Sequence, residues 1–436
     1  NDMIINDVKV VSKKNPNENF TYEYKNLNEL SISCENAFIQ GDTLTIDIDY
    51  SVNRNYRKGF YLYAPASYTV GPNTYYTVEP LAYTMSEPTD ARFWMPCNDQ
   101  PYDKAISNIS IKVPKDYTAV SNGVLDSVSN NENTQIFHWS HSSPISTYLM
   151  AATASKYAYY EQKYPRYSNA LDTVIIENYC WQIDLDSPKD HPYNAVKSLQ
   201  NQPEMLRYYS SLFGEYSFEK YGTVAVHPYI FGGMEHTTLT TINRDWLRGY
   251  AEIGLAHEIA HHWIGNLITA ASWDDIWINE GGASWFEALW DEHINNNPFS
   301  YYANMYMKTK DIFQKPDAHK LSVYGMPLND IFNKPYMVYN KGSWVFNMLS
   351  EIVGKEKLIS IMKDIFEENK FKAIDTYQFI DLIKSKIQSP AMDLDLFFDE
   401  WLFGTGYIKY ALDIEQIEAK ENYFKYDQII VSKKYG

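Results

Sequence analysis

Residues 256–263 read AHEIAHHW and hold three of the ten histidines in the chain. Each residue of an α-helix turns the side chain by about 100°, so His257 and His261 share one face, about 6 Å apart along the axis. Two imidazoles at that spacing can reach one tetrahedral zinc ion. The stretch therefore predicts part of a metal site on a helix, and a third ligand is needed to complete it.

A candidate for the third ligand lies in the stretch WINEGGASWFEALW (277–290). Glu280 stands nineteen residues after His261, at the start of a second predicted helix, and a helix–turn–helix of that length can bring it back over the first helix. His257, His261 and Glu280 then bind one Zn²⁺ with one position open, as in catalytic zinc sites. The motif HExxH alone also occurs by chance, in which case these histidines are ordinary packing or surface residues.

Glu258 directly follows the first predicted ligand and faces about 100° away from it. It can therefore touch a metal-bound water without binding the metal. Because a metal lowers the pKa of its water from about 15.7 towards 7, Glu258 can act as general base when that water attacks a carbonyl. His262 faces away from His261, and we expect it to support or pack the site.

The alternation of apolar residues predicts two kinds of structure along the chain. Up to about residue 180, period-two runs such as 42–52 and 172–183 are bounded by turn residues and predict antiparallel strands. From about residue 190 the spacing becomes helical, over 195–214, 250–266, 280–295, 341–366 and 376–387. The tail 411–432 returns to alternation.

Five blocks spread over most of the chain carry a family resemblance. They are EPTDARFWMPCNDQPYDKA (87–105), FGGMEH (231–236), AHEIAHHWIGNL (256–267), WDDIWINEGGASWFE (273–287) and VYNKGSWVFNML (338–349). In this order they resemble the gluzincin zinc metallo-aminopeptidases of the aminopeptidase N family, which include leukotriene hydrolase-like relatives. Five ordered blocks are far more specific than any one of them.

The resemblance implies a set of substrate-binding residues. Glu235 and Glu87 are implied to hold the α-ammonium of a peptide, because a site built for a charge-assisted hydrogen bond rejects a substrate that lacks the amine. Without the resemblance, Glu87 reads as a solvated loop residue. Gly232 and Gly233 leave the backbone open, so that a peptide can pair there along a sheet edge.

The resemblance also nominates Tyr339 as a hydrogen-bond donor to the oxyanion, in addition to zinc. Tyr336, three residues earlier, is expected to be a packing residue. His236 stands where the family most often has Asn, which leaves the side-chain preference of the enzyme open.

Together these patterns predict an α+β multidomain fold. We expect an N-terminal antiparallel β (saddle-like) domain at residues 1–185 and a thermolysin-like, mainly helical zinc catalytic domain at 186–409. We expect residues 410–436 to form a β-like tail, as the start of a further domain would. The first residue, Asn1, and the abrupt tail favour a piece excised from a longer protein.

Composition limits the partners and leaves the compartment open. The net charge of −17 opposes nucleic acid as a partner. The sequence contains no run of 18 apolar residues, so it predicts no membrane span. Its three scattered cysteines allow at most one disulfide. The oligomeric state stays open, and so does the compartment: the cytoplasm, or a soluble part of an envelope-anchored or secreted protein.

The predicted function is a zinc-dependent aminopeptidase, with one zinc ion, that releases N-terminal residues from peptides. Two alternatives stay open. One is a thermolysin-like zinc endopeptidase, in which Glu235 is merely structural, and the other is a non-catalytic peptide-binding module derived from a peptidase.

Overall fold

The computed structural model of the protein describes residues 3–12, 19–26, 28–52, 58–65, 67–70, 73–76, 79–387, 390, 392–406, 408–420 and 423–435. The chain divides into two compact units. The first comprises Asn1–Tyr164, Thr173–Gln200 and Phe218–Ala251, and the second comprises Pro165–Asp172, Asn201–Ser217 and Glu252–Gly436. The predicted boundaries at 185 and 409 stay predictions, because compact packing does not decide which segments fold alone.

The first unit consists mainly of β-strands. They form where apolar and polar residues alternate in runs that are bounded by turn residues. They are Met3–Ser12, Phe20–Asn26, Glu29–Cys34, Leu44–Val52, Gly59–Tyr63, Ser67–Val70, Asn73–Tyr76, Leu81–Met85, Lys104–Pro114, Thr118–Ser121, Val124–Asn130, Thr134–Ser146, Ala152–Ser155, Tyr157–Pro165, Thr173–Trp181, Lys220–Val226, Gly233–Met234 and Thr240–Asn243. Two short α-helices, Gln182–Asp186 and Ala195–Ser198, belong to the same unit.

Two antiparallel sheets form one part of this unit. The strands of the four-stranded sheet are, in spatial order, Thr118–Ser121, Ala152–Ser155, Leu81–Met85 and Gly59–Tyr63. Those of the three-stranded sheet are Val124–Asn130, Thr134–Ser146 and Lys104–Pro114. The predicted N-terminal β region is therefore present.

A five-stranded mixed sheet forms the other part of this unit. Its spatial order is Tyr157–Pro165, Thr173–Trp181, Lys220–Val226, Thr240–Asn243 and Gly233–Met234, so the last of these is an edge strand. The three middle strands pair in parallel. The antiparallel pairing expected for 172–183 is thus wrong where that strand meets Lys220–Val226. Alternation has the same period in both arrangements, and the chain between the two strands is long enough for a crossover.

The second unit is mainly helical. Its α-helices are Gln202–Phe213, Glu252–Ala260, Trp277–Asn295, Pro298–Phe313, Leu328–Ile331, Gly342–Val353, Lys355–Glu368, Thr376–Lys386 and Leu394–Phe398. Two π-helical segments are Tyr336–Lys341 and Asp399–Phe403. The strands Thr269–Ala270 and Ala373–Ile374 pair in parallel, and Ile408–Lys420 pairs antiparallel with Tyr423–Tyr435. No helix in these described segments has both the length and the apolarity to cross a membrane.

Three predicted helices are shorter or divided. The segment 195–214 is interrupted after Ser198, and 341–366 is divided at Gly354, whose φ of 92° is left-handed. The helix predicted over 250–266 ends at Ala260, because the N–H groups of His262 and Trp263 donate to carbonyls three residues earlier instead of four. The α+β fold class is confirmed, and the differences lie at the helix ends.

Candidate functional site

The end of the helix Glu252–Ala260 brings two histidines together. The N–H of His261 still donates to the carbonyl of His257 at 3.2 Å, so the two side chains keep helical spacing although the helix ends at Ala260. Their Nε2 atoms lie 2.9 Å apart, and both imidazoles are buried. The one-turn spacing read from the sequence thus corresponds to two ring nitrogens that point at a common position.

Glu280, in the first turn of the helix Trp277–Asn295, completes a group of three atoms that could bind one metal ion. Its Oε2 atom is 3.2 Å from Nε2 of His257 and 3.4 Å from Nε2 of His261. Ligands of a tetrahedral zinc ion with bonds of 2.0–2.1 Å lie about 3.3–3.4 Å from one another, which follows from the bond length and the tetrahedral angle. The two nitrogen–oxygen separations match this value and the separation of the two Nε2 atoms, 2.9 Å, is shorter, so the three donors can close around one zinc ion after a small outward shift of the imidazoles.

The outer nitrogens of both imidazoles are fixed by acceptors. Nδ1 of His257 donates to Oε1 of Glu287 at 2.7 Å, and Nδ1 of His261 donates to the carbonyl of Ile264 at 3.1 Å. The second oxygen of Glu287 accepts from Nζ of Lys308 at 2.6 Å. With its hydrogen on Nδ1, each ring presents the lone pair of Nε2, as a metal ligand must.

The sequence reasoning missed Glu287 and Lys308. Glu287 stands seven residues after Glu280, which is two helical turns and therefore the same face of the helix. This spacing was the available signal for Glu287. No comparable signal marks Lys308, because it lies on the next helix, Pro298–Phe313.

The electrostatics of the group favour positive charge between its members. Burial alone would lower the pKa of His257, but the carboxylates of Glu280 and Glu287, each within hydrogen-bond distance of the ring, raise it well above its ordinary value. Burial would raise the pKa of Glu280, but the charge of His261 and hydrogen-bond contacts with both histidines lower it below its ordinary value. An environment that stabilises a cationic imidazole also stabilises a divalent cation.

Two glycines let the helices of the site approach closely. A Cβ atom on Gly281 would lie 2.7 Å from the carbonyl carbon of Gly342, and one on Gly282 would lie 2.3 Å from Cδ1 of Ile264. Only glycine permits such contacts without displacement of the neighbouring segment. The pair that follows Glu280 in the sequence therefore has a steric role in placing this carboxylate.

Glu258 and His262 occupy the other faces of the same turn. Glu258 is 6% exposed, so its carboxylate is held largely away from bulk water. His262 is buried, donates from Nδ1 to the carbonyl of Glu258 at 3.2 Å and packs on the ring of Tyr216, with centroids 5.6 Å apart. These contacts agree with a packing role for His262, and the role of Glu258 as base stays a prediction.

The two tyrosines of the π-helix Tyr336–Lys341 have different surroundings. The ring of Tyr339 stacks on the imidazole of His257, with centroids 5.8 Å apart, and is partly exposed. Tyr336 is buried, and its hydroxyl donates to Oδ1 of Asp317 at 2.7 Å. Of the two, Tyr339 is therefore the one beside the metal donors.

In the first unit, Glu87 and Glu235 form a buried pair of carboxylates. One carboxylate oxygen of Glu87 lies within 4.8 Å of one of Glu235, and the two residues are 8% and 3% exposed. The expectation of a solvated Glu87, which the sequence favours without the resemblance, is therefore wrong. Two ionised carboxylates at this distance repel each other in a buried site, so a cation between them is favourable.

The segments before the two carboxylates are joined by tyrosines. The hydroxyl of Tyr83, on the strand Leu81–Met85, donates to the carbonyl of Pro228 at 2.8 Å. The hydroxyl of Tyr229 donates to Sδ of Met85 at 3.3 Å. These contacts join the strand that leads to Glu87 with the segment that leads to Glu235.

The residues around Glu235 form the edge of the five-stranded sheet. Gly233 pairs with Ile242 in the edge strand, and a Cβ atom on Gly232 would lie 2.8 Å from the ring of Trp246. His236 is fully buried, with Nδ1 2.9 Å from Oγ1 of Thr241, and burial lowers the pKa of its imidazole to about 3. His236 therefore adds no positive charge beside Glu235 at neutral pH.

A histidine pair with a helical carboxylate and fixed outer nitrogens defines a candidate catalytic metal centre of the open, three-ligand kind. Two family models match this chain: the Peptidase family M1 domain over residues 197–401 and the Peptidase M1 N-terminal domain over residues 2–149. The chain belongs to peptidase family M1, and the resemblance seen in the sequence is confirmed.

Curated relatives and solved structures agree with this assignment. Glutamyl aminopeptidase of Rattus norvegicus is 27% identical over 88% of this chain and 41% of its own length. Leucine aminopeptidase 2 of Ajellomyces capsulatus is 24% identical over 92% of this chain and 63% of its own length. The chain thus spans less than two thirds of these relatives.

Two solved structures show the same fold at low identity. The M1 zinc metallopeptidase of Deinococcus radiodurans aligns with a TM-score of 0.72 and 18% identity, over 93% of this chain and 85% of its own. Native yeast LTA4 hydrolase aligns with a TM-score of 0.75 and 20% identity, over 93% of this chain and 62% of its own.

Proposed function

We propose that this protein is a zinc-dependent aminopeptidase that removes the N-terminal residue from peptides. The observation that carries the proposal is the presence, in one chain, of a His₂Glu donor set and a buried carboxylate pair. The first suits a catalytic metal, and the second suits an ammonium group. Membership of the family and aminopeptidase relatives support the same activity.

His257, His261 and Glu280 are proposed to hold one zinc ion. Zinc, when bound, supplies a Lewis acid that polarises the scissile carbonyl and makes water more acidic. Support for zinc comes from the separations of the three donors and from the hydrogen bonds that fix both Nδ1 atoms. Glu287 is proposed to orient His257 through the bond to Nδ1.

Glu258 and Tyr339 are proposed to act on the reacting atoms. The Glu258 carboxylate takes a proton from the water as it attacks the scissile carbonyl, and returns that proton to the leaving amine. The Tyr339 hydroxyl donates a hydrogen bond to the oxygen on which negative charge develops. Its stacking on His257 supports this role, and the internal hydrogen bond of Tyr336 argues for a structural role of that residue.

Glu87 and Glu235 are proposed to bind the free α-ammonium of the substrate. A chain whose amine is acylated loses this charge-assisted contact and leaves two carboxylates without their cation, so it is rejected. The edge strand that contains Gly233 is proposed to pair with the substrate backbone, and Gly232, which packs closely on Trp246, is proposed to let the backbone approach there. Support comes from the terminal position of this strand in the sheet.

A matched pair of peptides tests the proposal. The zinc-loaded protein is incubated with a peptide that has a free N-terminus and with its N-acetylated form, and products are separated by chromatography. We expect stepwise release of N-terminal residues from the free peptide only. Equal internal cleavage of both supports the endopeptidase alternative, and a protein that binds no zinc and cleaves neither supports the binding module.

A further inference from the structure

A cavity that none of the candidate metal donors lines lies in the helical unit. It has a volume of about 510 Å³ and is bounded by the helices Pro298–Phe313 and Gly342–Val353 and the π-helix Asp399–Phe403. Its wall is mainly apolar and aromatic, with Ile312, Phe313, Trp344, Met348 and Trp401. A volume of this size suits a small organic ligand.

One ammonium group belongs to this wall. Lys341 lines the cavity and is only 7% exposed. Within the described part of the chain, no carboxylate forms a salt bridge or hydrogen bond with it, which is unfavourable for a buried charge. Burial lowers the pKa of Lys341 to about 8, so the ammonium is mostly protonated at pH 7 and available to an anion.

The other titratable side chains of the wall are basic as well. Lys315 and His319 line the cavity, and among its described lining residues there is no Asp or Glu. Lys315 already pairs with Asp311, at 3.6 Å. In a chain with a net charge of −17, an apolar cavity whose described ionisable lining residues are all basic indicates an anionic ligand.

We propose that this cavity binds a small monocarboxylate with an aromatic or alkyl body. The carboxylate pairs with the ammonium of Lys341, and the body packs against Trp344 and Trp401. One nearly enclosed ammonium matches one negative charge. None of the residues assigned to the proposed peptidase chemistry lines this cavity.

Calorimetric titration with indole-3-propionate and its neutral amide, indole-3-propionamide, tests this site. The full chain is titrated both with saturating zinc and after chelation. We expect one site per chain, with the acid bound at least tenfold more tightly than the amide and with the same affinity in both metal states. The expected ratio reflects one charge-assisted hydrogen bond in a partly dry site.

Two variants locate the site. Lys341→Met should weaken binding of the acid at least tenfold and leave that of the amide unchanged. Lys310→Met, at an exposed position on the neighbouring helix, should change neither. Circular dichroism establishes that both variants are folded. The proposal is overturned if the unmodified protein binds neither compound or both equally, if chelation abolishes binding, or if folded Lys341→Met binds the acid as before.

Discussion

The metal donors and the carboxylate pair are encoded in different ways. His257 and His261 lie one helical turn apart and Glu280 follows nineteen residues later, so the spacing of the sequence reveals them. Glu87 and Glu235 are 148 positions apart, and only the sheets of the first unit bring their carboxylates within 4.8 Å. The periodicity of a sequence can therefore reveal a site built on neighbouring helices. A site assembled by the topology of a sheet is found in the sequence only through a family pattern.

The largest expected effect comes from removal of a metal donor. His261→Ala should lose bound zinc and all measurable peptidase activity, because two remaining donors hold the ion weakly. Metal analysis after dialysis measures the zinc content. His262→Ala is the matched control and should retain zinc. A folded His261→Ala protein with a full equivalent of tightly bound zinc would show that His261 is not a ligand of the metal.

Glu258→Gln should separate metal binding from chemistry. The amide cannot accept the proton of the attacking water, so we expect kcat/KM to fall by about 10⁴-fold, the upper end for a general base, with zinc retained. Steady-state kinetics together with metal analysis measures both properties. Turnover near the level of the unmodified protein would remove Glu258 from the reaction.

Tyr339→Phe should lower kcat by about 10²–10³, the effect of losing one oxyanion donor. Tyr336→Phe is the control on the same π-helix, and because its hydroxyl bonds to Asp317 it should keep kcat close to that of the unmodified protein. Equal losses in both variants would indicate disruption of the π-helix rather than loss of a specific hydrogen bond.

Glu287→Gln should weaken zinc binding by about 10–100-fold, because the bond that orients His257 loses its charge. Competition with a chelator of known affinity measures this change. Glu292→Gln on the same helix removes an ion pair with Lys355 instead and should leave zinc affinity unchanged. The same affinity in both variants would mean that the outer contact of His257 does not tune the metal.

Sequence reasoning reached the fold class, and it selected the three candidate metal donors that the structure brings together, because both depend on helical and strand periodicity. It predicted too long a helix around the histidines. The hydrogen-bond spacing of the backbone shortens after Ala260, and the periodicity of the side chains does not reveal this change. It expected antiparallel pairing for 172–183, because alternation does not distinguish strand direction. It missed Lys308, whose contact with Glu287 depends on how two helices pack.

The burial of Glu87 shows the same limit. A glutamate before a proline has no local signature of burial, and its proximity to Glu235 follows from contacts such as that of Tyr83 with Pro228. The family pattern supplied what periodicity could not, and the roles of both carboxylates stay predictions that kinetics must test.

The most direct test of the central claim is the ratio of kcat/KM for a free peptide to that for its N-acetylated form, in the unmodified protein and in Glu235→Gln. We predict a ratio of about 10⁴ in the unmodified protein. In Glu235→Gln it should fall by about 10–100-fold, with zinc content unchanged, because a hydrogen bond to a charged group is lost. An unchanged ratio in a folded, zinc-loaded Glu235→Gln protein would contradict the assignment of this carboxylate to the substrate amine.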